Sequence, residues 1–527
     1  MQWVQMLIII AYFVLLAVVG KIMKKYAKSS SEFLIAGRNM GVTLVTVVIV
    51  GEWLGGMSTV GTSETAFQSG FFPLWYNVST ATGMFLFGLT IAATYRKHNV
   101  HTVGEMLQLY YNRQVRVVAS LAFVVAFVIM SYLQLQAIGS LVSQLFGGML
   151  TSVSNALASI FGSHLSLFEP YSIAIIISGI FVIFYVYEGG MKSIALTNLI
   201  HVILIFSTVI TVFLLVLYKI GGYSGLFAAL QQAFITEGKT AEQAAQTVAS
   251  FKNPFSLGMG KVIAWILGGI LSGFASQACI QPVFAAKDIS TAKKSAIISA
   301  IFIAPLGILV STMGMAVRSG VFGYIDVSRA KEALPFLLMG SNFLPPWLSG
   351  LAVAGILAAI LSTVAPVMFA VSTILVKDFY HLIVNKDASD AHLLKVSKLL
   401  TVIVGLLTIP MAIYLQGRIL EAAYITYGIR GSAAIVVLLG VFWLNKKTQG
   451  TFVTPLAASV SIIAATVGIL IFAMNKNTIT AYLKWLPFTL DQVHVAIFLT
   501  LAAILIVTPL TRKSHEESST MKIGTKV

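Results

Sequence analysis

The chain has 527 residues, of which 58% are hydrophobic and 10% charged, with a mean hydropathy of +0.91 and a formal net charge of +16. A soluble globular chain carries roughly a quarter charged residues, so this composition belongs to a polytopic helical membrane protein, and no strand alternation points to a barrel. The basic excess is spread over loops, where Lys and Arg report topology, so nucleic acid is excluded as a partner; the single cysteine, Cys279, excludes an intramolecular disulfide.

Apolar runs of about 20 residues, the length that crosses roughly 30 Å of hydrocarbon, recur from end to end. Thirteen spans are expected near 3–22, 41–66, 71–95, 116–146, 170–188, 191–218, 258–284, 294–318, 347–376, 396–416, 419–444, 451–474 and 490–510. The first lacks the basic flank and cleavage site of a signal peptide. Of the 34 Lys and Arg, 23 fall on the side reached after span 1, 10 on the other, and Arg430 lies inside span 11. The excess places that side and the C-terminus in the cytoplasm and the N-terminus outside; an even span count is the alternative.

Two longer segments, 219–257 and 319–346, fall outside and read as partly helical. The tail, 511–527, is short and polar. A P-loop, HExxH and GxSxG are absent, so the chain has no sign of ATP hydrolysis or hydrolytic chemistry and reads as a transporter, not an enzyme.

Span 2 carries "VGEWLGGMSTVG" and span 7 "WILGGILSGFASQ". Each has a GxxxG, Gly51/Gly55 and Gly269/Gly273, an adjacent Gly-Gly and a nearby tryptophan, five spans apart. Interrupted segments in matching places of two inverted repeats are the sequence sign of a transporter's binding site. Gly51 and Gly55 are therefore candidates for coupling or gating. The other reading is that GxxxG lets helices pack closely. Glu52 favours the first, because a carboxylate at membrane depth faces a cavity or a partner. In span 9, Ser362 and Thr363 are adjacent hydroxyls one turn after Ala359. Such oxygens suit a hard cation; they also suit back-bonding to helix carbonyls.

Several stretches together resemble the sodium:solute symporter family: "SEFLIAGRNMG", "GGMSTVGTSETAFQSG", "YEGGMKSIALTNLIHVIL", "QPVFAAKDISTAKKS" and "AAILSTVAPVMFAVSTILVKDFY", in order over about 32–445. The resemblance implies an all-α fold of the LeuT type. In it spans 2–6 (41–218) and 7–11 (258–444) are inverted repeats, and span 1 (3–22) and spans 12–13 (451–510) are peripheral, all in one transporter domain. It implies a Na⁺ site of the Thr46 and Ile49 carbonyls, the Ala359 carbonyl, and the Ser362 and Thr363 hydroxyls. Where many members carry Asp, this chain has Asn198, followed by His201, and the hydroxyl positions of a second sodium read Ala365 and Pro366. One Na⁺ is therefore expected, with H⁺ coupling through Glu52 or His201 kept open.

The solute is expected beside the span 2 interruption, with Glu52, Trp53, Gln134, Gln136, Phe274, Gln277, Tyr424 and Tyr427 as candidates. Gln134 and Gln136 point differently on one helix, so at most one lines the pocket. The family's sugar branch has Gln at the place of Trp53, so an amino acid, carboxylate or vitamin-like metabolite fits better than a sugar. Arg430 either receives a carboxylate or is structural, paired with an acid such as Glu52 or Glu421. The expected whole is a Na⁺-coupled importer in a prokaryotic plasma membrane. A non-transporting solute sensor is the rival of another class.

Overall fold

The computed structural model describes residues 2–23, 30–161, 166–187, 190–415, 417–443, 451–483 and 485–524. Glu188 and Gly189 of the "YEGG" motif and the last three residues of the tail lie outside them. Ten helices are long and apolar enough to cross a membrane: Arg113–Phe161, Pro170–Tyr187, Met191–Ile220, Met259–Ala285, Ile289–Arg318, Pro346–Val384, Asp390–Tyr414, Ile419–Phe442, Pro455–Met474 and Gln492–Arg512. Val42–Trp53 and Met57–Ser69, bent by 51° at their junction, make an eleventh if taken as one span. Helices Gln2–Met23 and Leu74–Thr90 occupy the places of spans 1 and 3. The helices keep their span numbers below.

Three departures from the expected boundaries have local causes. Span 4 does not end at 146; the helix leaves α geometry at Phe146, ahead of Gly147 and Gly148, and resumes to Phe161. Span 9 continues to Val384 through a wider π-type turn. The 219–257 segment forms Gly222–Thr236 and Ala241–Lys252, the second started by a Thr240/Gln243 capping box.

The packing repeats with an offset of five spans. Span 2 packs on span 8 as span 7 packs on span 3, span 6 on span 2 as span 11 on span 7, and span 6 on span 9 as span 11 on span 4. Span 1 lies against spans 6 and 9, and spans 12 and 13 against each other and span 11. Span 9 is the central post. Of residues 348–374 only Leu351 is not buried, as expected of a helix apolar on every side.

Gly269 and Gly273 of span 7 serve this packing rather than a break. A Cβ on Gly269 would lie 2.0 Å from Ser79 Oγ, one on Gly83 2.8 Å from the Gly269 carbonyl, and Gly273 faces Gly83 Cα. Spans 3 and 7 thus touch backbone to backbone.

The face with the basic loops is closed by main-chain contacts. Met40, before span 2, pairs with the strand-like end of span 7, its N–H 3.0 Å from Ala285 O and its carbonyl 2.9 Å from Lys287 N. Arg38 of the "AGR" motif donates to the carbonyls of Phe284, Asn99 and Val100. Beside them, Arg116 of span 4 pairs with Asp378 at 2.7 Å and Glu105 at 3.2 Å, and Asp378 also accepts from Thr102 and Ser120. Burial alone would raise the Glu105 carboxyl, but the hydrogen bonds and charge of His101, with the Arg116 guanidinium, hold it at about 2.

Two outcomes follow. Gly269→Val should cost about 1–3 kcal/mol or more by overpacking, read as a lower thermal unfolding midpoint of detergent-purified protein. Gly147→Ala, whose Cβ meets nothing within 4 Å, should not lower it. Glu105, depressed in the fold relative to its ordinary value of 4.5, contributes stability that is fully present above that value and is lost as pH falls towards 2. The wild type should therefore lose more stability than Glu105→Gln over that window in parallel melts.

Candidate functional site

Span 2 stops being a regular helix after Trp53. The Gly55-Gly56 pair follows, and the chain re-enters a helix through a π-type turn at Met57–Gly61. Near this interruption the backbone groups need partners from elsewhere. The Gly56 N–H turns to Gln134 Oε1 of span 4 at 2.7 Å. The Gly51 carbonyl accepts from Ser362 Oγ at 3.0 Å and Thr363 Oγ1 at 2.6 Å; the Glu52 carbonyl accepts from Thr363 Oγ1 at 3.0 Å. The glycines permit this approach. A Cβ on Gly55 would lie 2.4 Å from Thr363 Oγ1, and one on Gly51 2.5 Å from Asn198 Nδ2.

The Ala359 carbonyl joins the same group, 2.7 Å from Ser362 Oγ and 3.4 Å from Thr363 Oγ1. Five uncharged oxygens of spans 2 and 9 thus meet, the ligand type that a hard monovalent cation prefers. The span 9 half matches the expected set. The span 2 half differs: the hydroxyls meet Gly51 and Glu52, not Thr46 and Ile49. The latter two stand inside the unbroken helix Val42–Trp53, where carbonyls serve the N–H four residues on.

Asn198 lies beside these oxygens. Pro366, lacking an N–H, cannot serve the Ser362 carbonyl four residues before it; Asn198 Nδ2 donates to that carbonyl at 3.3 Å. A carboxylate could not, which is a physical reason for Asn at this place. The Asn198 Oδ1 atom is buried without a partner.

Span 7 is interrupted too, at Ser276, whose extended backbone (φ −76°, ψ 102°) separates Met259–Ala275 from Gln277–Ala285. The two interruptions face each other. Ser276 Oγ donates to Glu52 Oε1 at 3.3 Å and accepts from Arg430 Nη1 at 2.8 Å, and Cys279 Sγ reaches Glu52 Oε2 at 3.3 Å. Glu52 Oε1 and Arg430 Nη1 are 3.9 Å apart, both side chains wholly buried. The guanidinium sits over the rings of Tyr427, Phe127 and Trp53 at 4.6, 5.5 and 5.7 Å. Of the two readings of Arg430, pairing with Glu52 is the arrangement present; Glu421 instead meets Lys261, Arg418 and Lys476.

The remaining candidates separate. Trp53 and Tyr427 line the interruption with Tyr76, the two tyrosines stacked at 5.7 Å. Tyr424 stacks on Trp265 at 4.2 Å, one turn away. Gln134 is at the site, whereas Gln136 donates to the carbonyls of Ala412 and Leu415, at the end of span 10. Gln277 points to the basic-loop face, holding Val103 N and His101 O. The Phe274 carbonyl accepts from Tyr95, and its ring packs on Phe87. His201 is bound through Nδ1 to Tyr12 of span 1 and through Nε2 to Tyr185 of span 5, so it bridges spans rather than facing Glu52. Ser276, Tyr76, Phe127 and Cys279 were not anticipated. For Ser276 the available signal was its place at the end of the Gly-rich half of span 7.

The sequence profile of the Sodium:solute symporter family matches residues 33–457. The chain belongs to that family. Membership makes it a multi-pass membrane transporter rather than an enzyme. Among its relatives, the Monocarboxylate transport permease protein of Rhizobium johnstonii is 24% identical over 77% of each chain. Sodium/proline symporter 2 of Staphylococcus saprophyticus is 22% identical over 85% of this chain and 83% of that one. The fold is that of a Na⁺-coupled sialic acid symporter, with a TM-score of 0.70 at 18% identity over 96% of this chain and 98% of the other. A nucleobase-cation-symport-1 family transporter gives 0.53 at 12% identity, over 93% and 96%.

Removing one member of a buried ion pair costs about 3–5 kcal/mol because the other charge is stranded. Glu52→Ala and Arg430→Met should each lower the melting midpoint sharply. The double variant should melt above the sum of the two losses, measured as a double-mutant cycle.

Proposed function

We propose that this symporter couples inward movement of one Na⁺ to uptake of a small organic solute other than a sugar. The observation that carries the reading is the meeting of Ser362 and Thr363 with the Gly51 and Glu52 carbonyls beside Ala359. A Na⁺ held there takes over lone pairs that now serve hydrogen bonds between spans 2 and 9. It therefore tightens or releases the contact on which the span 2 interruption rests. The solute sits against Trp53, Tyr76 and Tyr427, next to the Glu52–Ser276–Arg430 bridge. Relatives named for monocarboxylates, proline and glucose match at 22–24% identity, so the preference for an amino acid or carboxylate over a sugar rests on Trp53 and Arg430 at the interruption.

In this reading thirteen spans cross a plasma membrane with the N-terminus outside, and access alternates between the basic-loop face and the Glu421 face. Asn198, Gly51 and Gly55 serve coupling, since each abuts the cation oxygens. Both nitrogens of His201 are engaged away from this site, which favours Na⁺ over H⁺.

The test is thermal unfolding of purified protein in Na⁺ against K⁺ or choline at two pH values. Ligand bound by the folded state alone raises stability by RT ln(1 + [L]/Kd), about 2.7 kcal/mol at a hundredfold excess over Kd. A Na⁺-specific rise that is lost in Ser362→Ala/Thr363→Ala is expected, with loss of Na⁺-driven uptake in vesicles. A pH response without a Na⁺ response would replace the reading with proton coupling. Solute binding without counterflow would replace it with a sensor.

A further inference from the structure

We infer that the solute is a small monocarboxylate anion, received by the two uncommitted N–H groups of Arg430 together with the indole N–H of Trp53. This rests on the interruption being the solute site.

A guanidinium has five N–H donors. Three are committed: Nε to Thr426 O at 3.3 Å, Nη2 to Thr426 Oγ1 at 3.2 Å and Nη1 to Ser276 Oγ at 2.8 Å. One N–H on each terminal nitrogen remains. Glu52 does not use them. Its nearer oxygen is 3.9 Å from Nη1, beyond hydrogen-bond reach, and its two oxygens are served by Ser276 and Cys279. Trp53 Nε1 is buried without a partner, its ring 5.7 Å from the guanidinium carbon, and Gln134 Nε2 is buried without a partner beside Gly55. A buried unmet donor costs about 1–3 kcal/mol. Unmet acceptors, Asn198 Oδ1 and Asn77 Oδ1, are also buried near the interruption, but the unmet donors include the guanidinium and the indole beside it, and a fork of two guanidinium N–H groups fits a carboxylate.

Charge points the same way. Among the described residues, the acidic and basic side chains that meet at the interruption are Glu52 and Arg430, whose charges cancel when both are ionised. Asn198 is neutral beside the cation oxygens. A bound Na⁺ therefore adds one uncompensated positive charge in a buried place, which is costly unless it is paired. A neutral or zwitterionic solute leaves that charge standing, a dicarboxylate overshoots it, and a monocarboxylate closes the sum to zero. The faces of Trp53, Tyr76 and Tyr427 leave an apolar setting for the rest of the molecule.

The experiment is thermal unfolding of the full-length purified protein in NaCl and in choline chloride. The probes are acetate, propionate, lactate, pyruvate and benzoate, against propionamide, lactamide, L-alanine, L-proline and succinate. At least one monocarboxylate should raise the midpoint saturably in Na⁺, and its amide should not. Trp53→Phe, which keeps a ring and removes the N–H, and Arg430→Lys, which keeps the charge and removes the fork, should each weaken the apparent affinity about tenfold or more, the worth of one charged hydrogen bond. An amide, alanine or proline stabilising as well as the carboxylates overturns the inference. So does a panel in which no monocarboxylate responds while Na⁺ alone still stabilises, which would leave the sodium reading intact. A carboxylate response of equal size in choline supports the anion and overturns the sodium reading instead. Should Arg430→Lys fail to fold, unchanged carboxylate affinity in Trp53→Phe is the overturning result.

Discussion

A helix that stops at membrane depth must find new partners for its last carbonyls, since lipid offers none. In this symporter span 2 hands them to Ser362 and Thr363, and the rest of the arrangement follows from that exchange. Span 9 has to run through the centre of the bundle to bring the hydroxyls there. Residues Gly51 and Gly55 have to lack a Cβ so that Asn198 and Thr363 can come close. Gln134 has to lie on the other flank to accept from Gly56. Pro366 then frees one more carbonyl on span 9, and Asn198 takes it up.

The second interruption is tied to the first by charge rather than by backbone. Glu52 follows Gly51 directly and reaches across to Ser276, and Arg430 enters the same bridge from span 11. Spans 2, 7 and 11 therefore share one buried polar junction walled by aromatic rings. Interior polar networks of this kind are stable only when their members are satisfied together. Movement of one interrupted helix thus has to be answered by the other two spans.

Much of this was legible in the residues, and the limits are instructive. Hydropathy located the helices because a span needs a long apolar run and little else. The Ser-Thr pair was legible because two hydroxyls inside an otherwise apolar helix have few uses. On span 2 the hydroxyls meet Gly51 and Glu52 rather than the expected Thr46 and Ile49: which carbonyls a hydroxyl reaches depends on where the helix stops, and Gly51, Gly55 and Gly56 offered several stopping points. Span 7 misled for a related reason. Its GxxxG has the composition of a break but packs on Gly83, while the break falls at a serine. Gln136 and Gln277 are polar residues at membrane depth, yet they bind helix ends and loop backbone. Sequence separates such fastening from solute contact only when the partner strand or helix is known.

The neutrality of Asn198 has a consequence for the energetics of the cycle. Among the described residues the acid and base that meet at the interruption are Glu52 and Arg430, and with both ionised that pair carries no net charge. A unit charge crossing 100 mV exchanges about 2.3 kcal/mol with the field, but a neutral centre exchanges none. Under the proposed function, this pair then adds nothing to the voltage dependence of the empty protein's return.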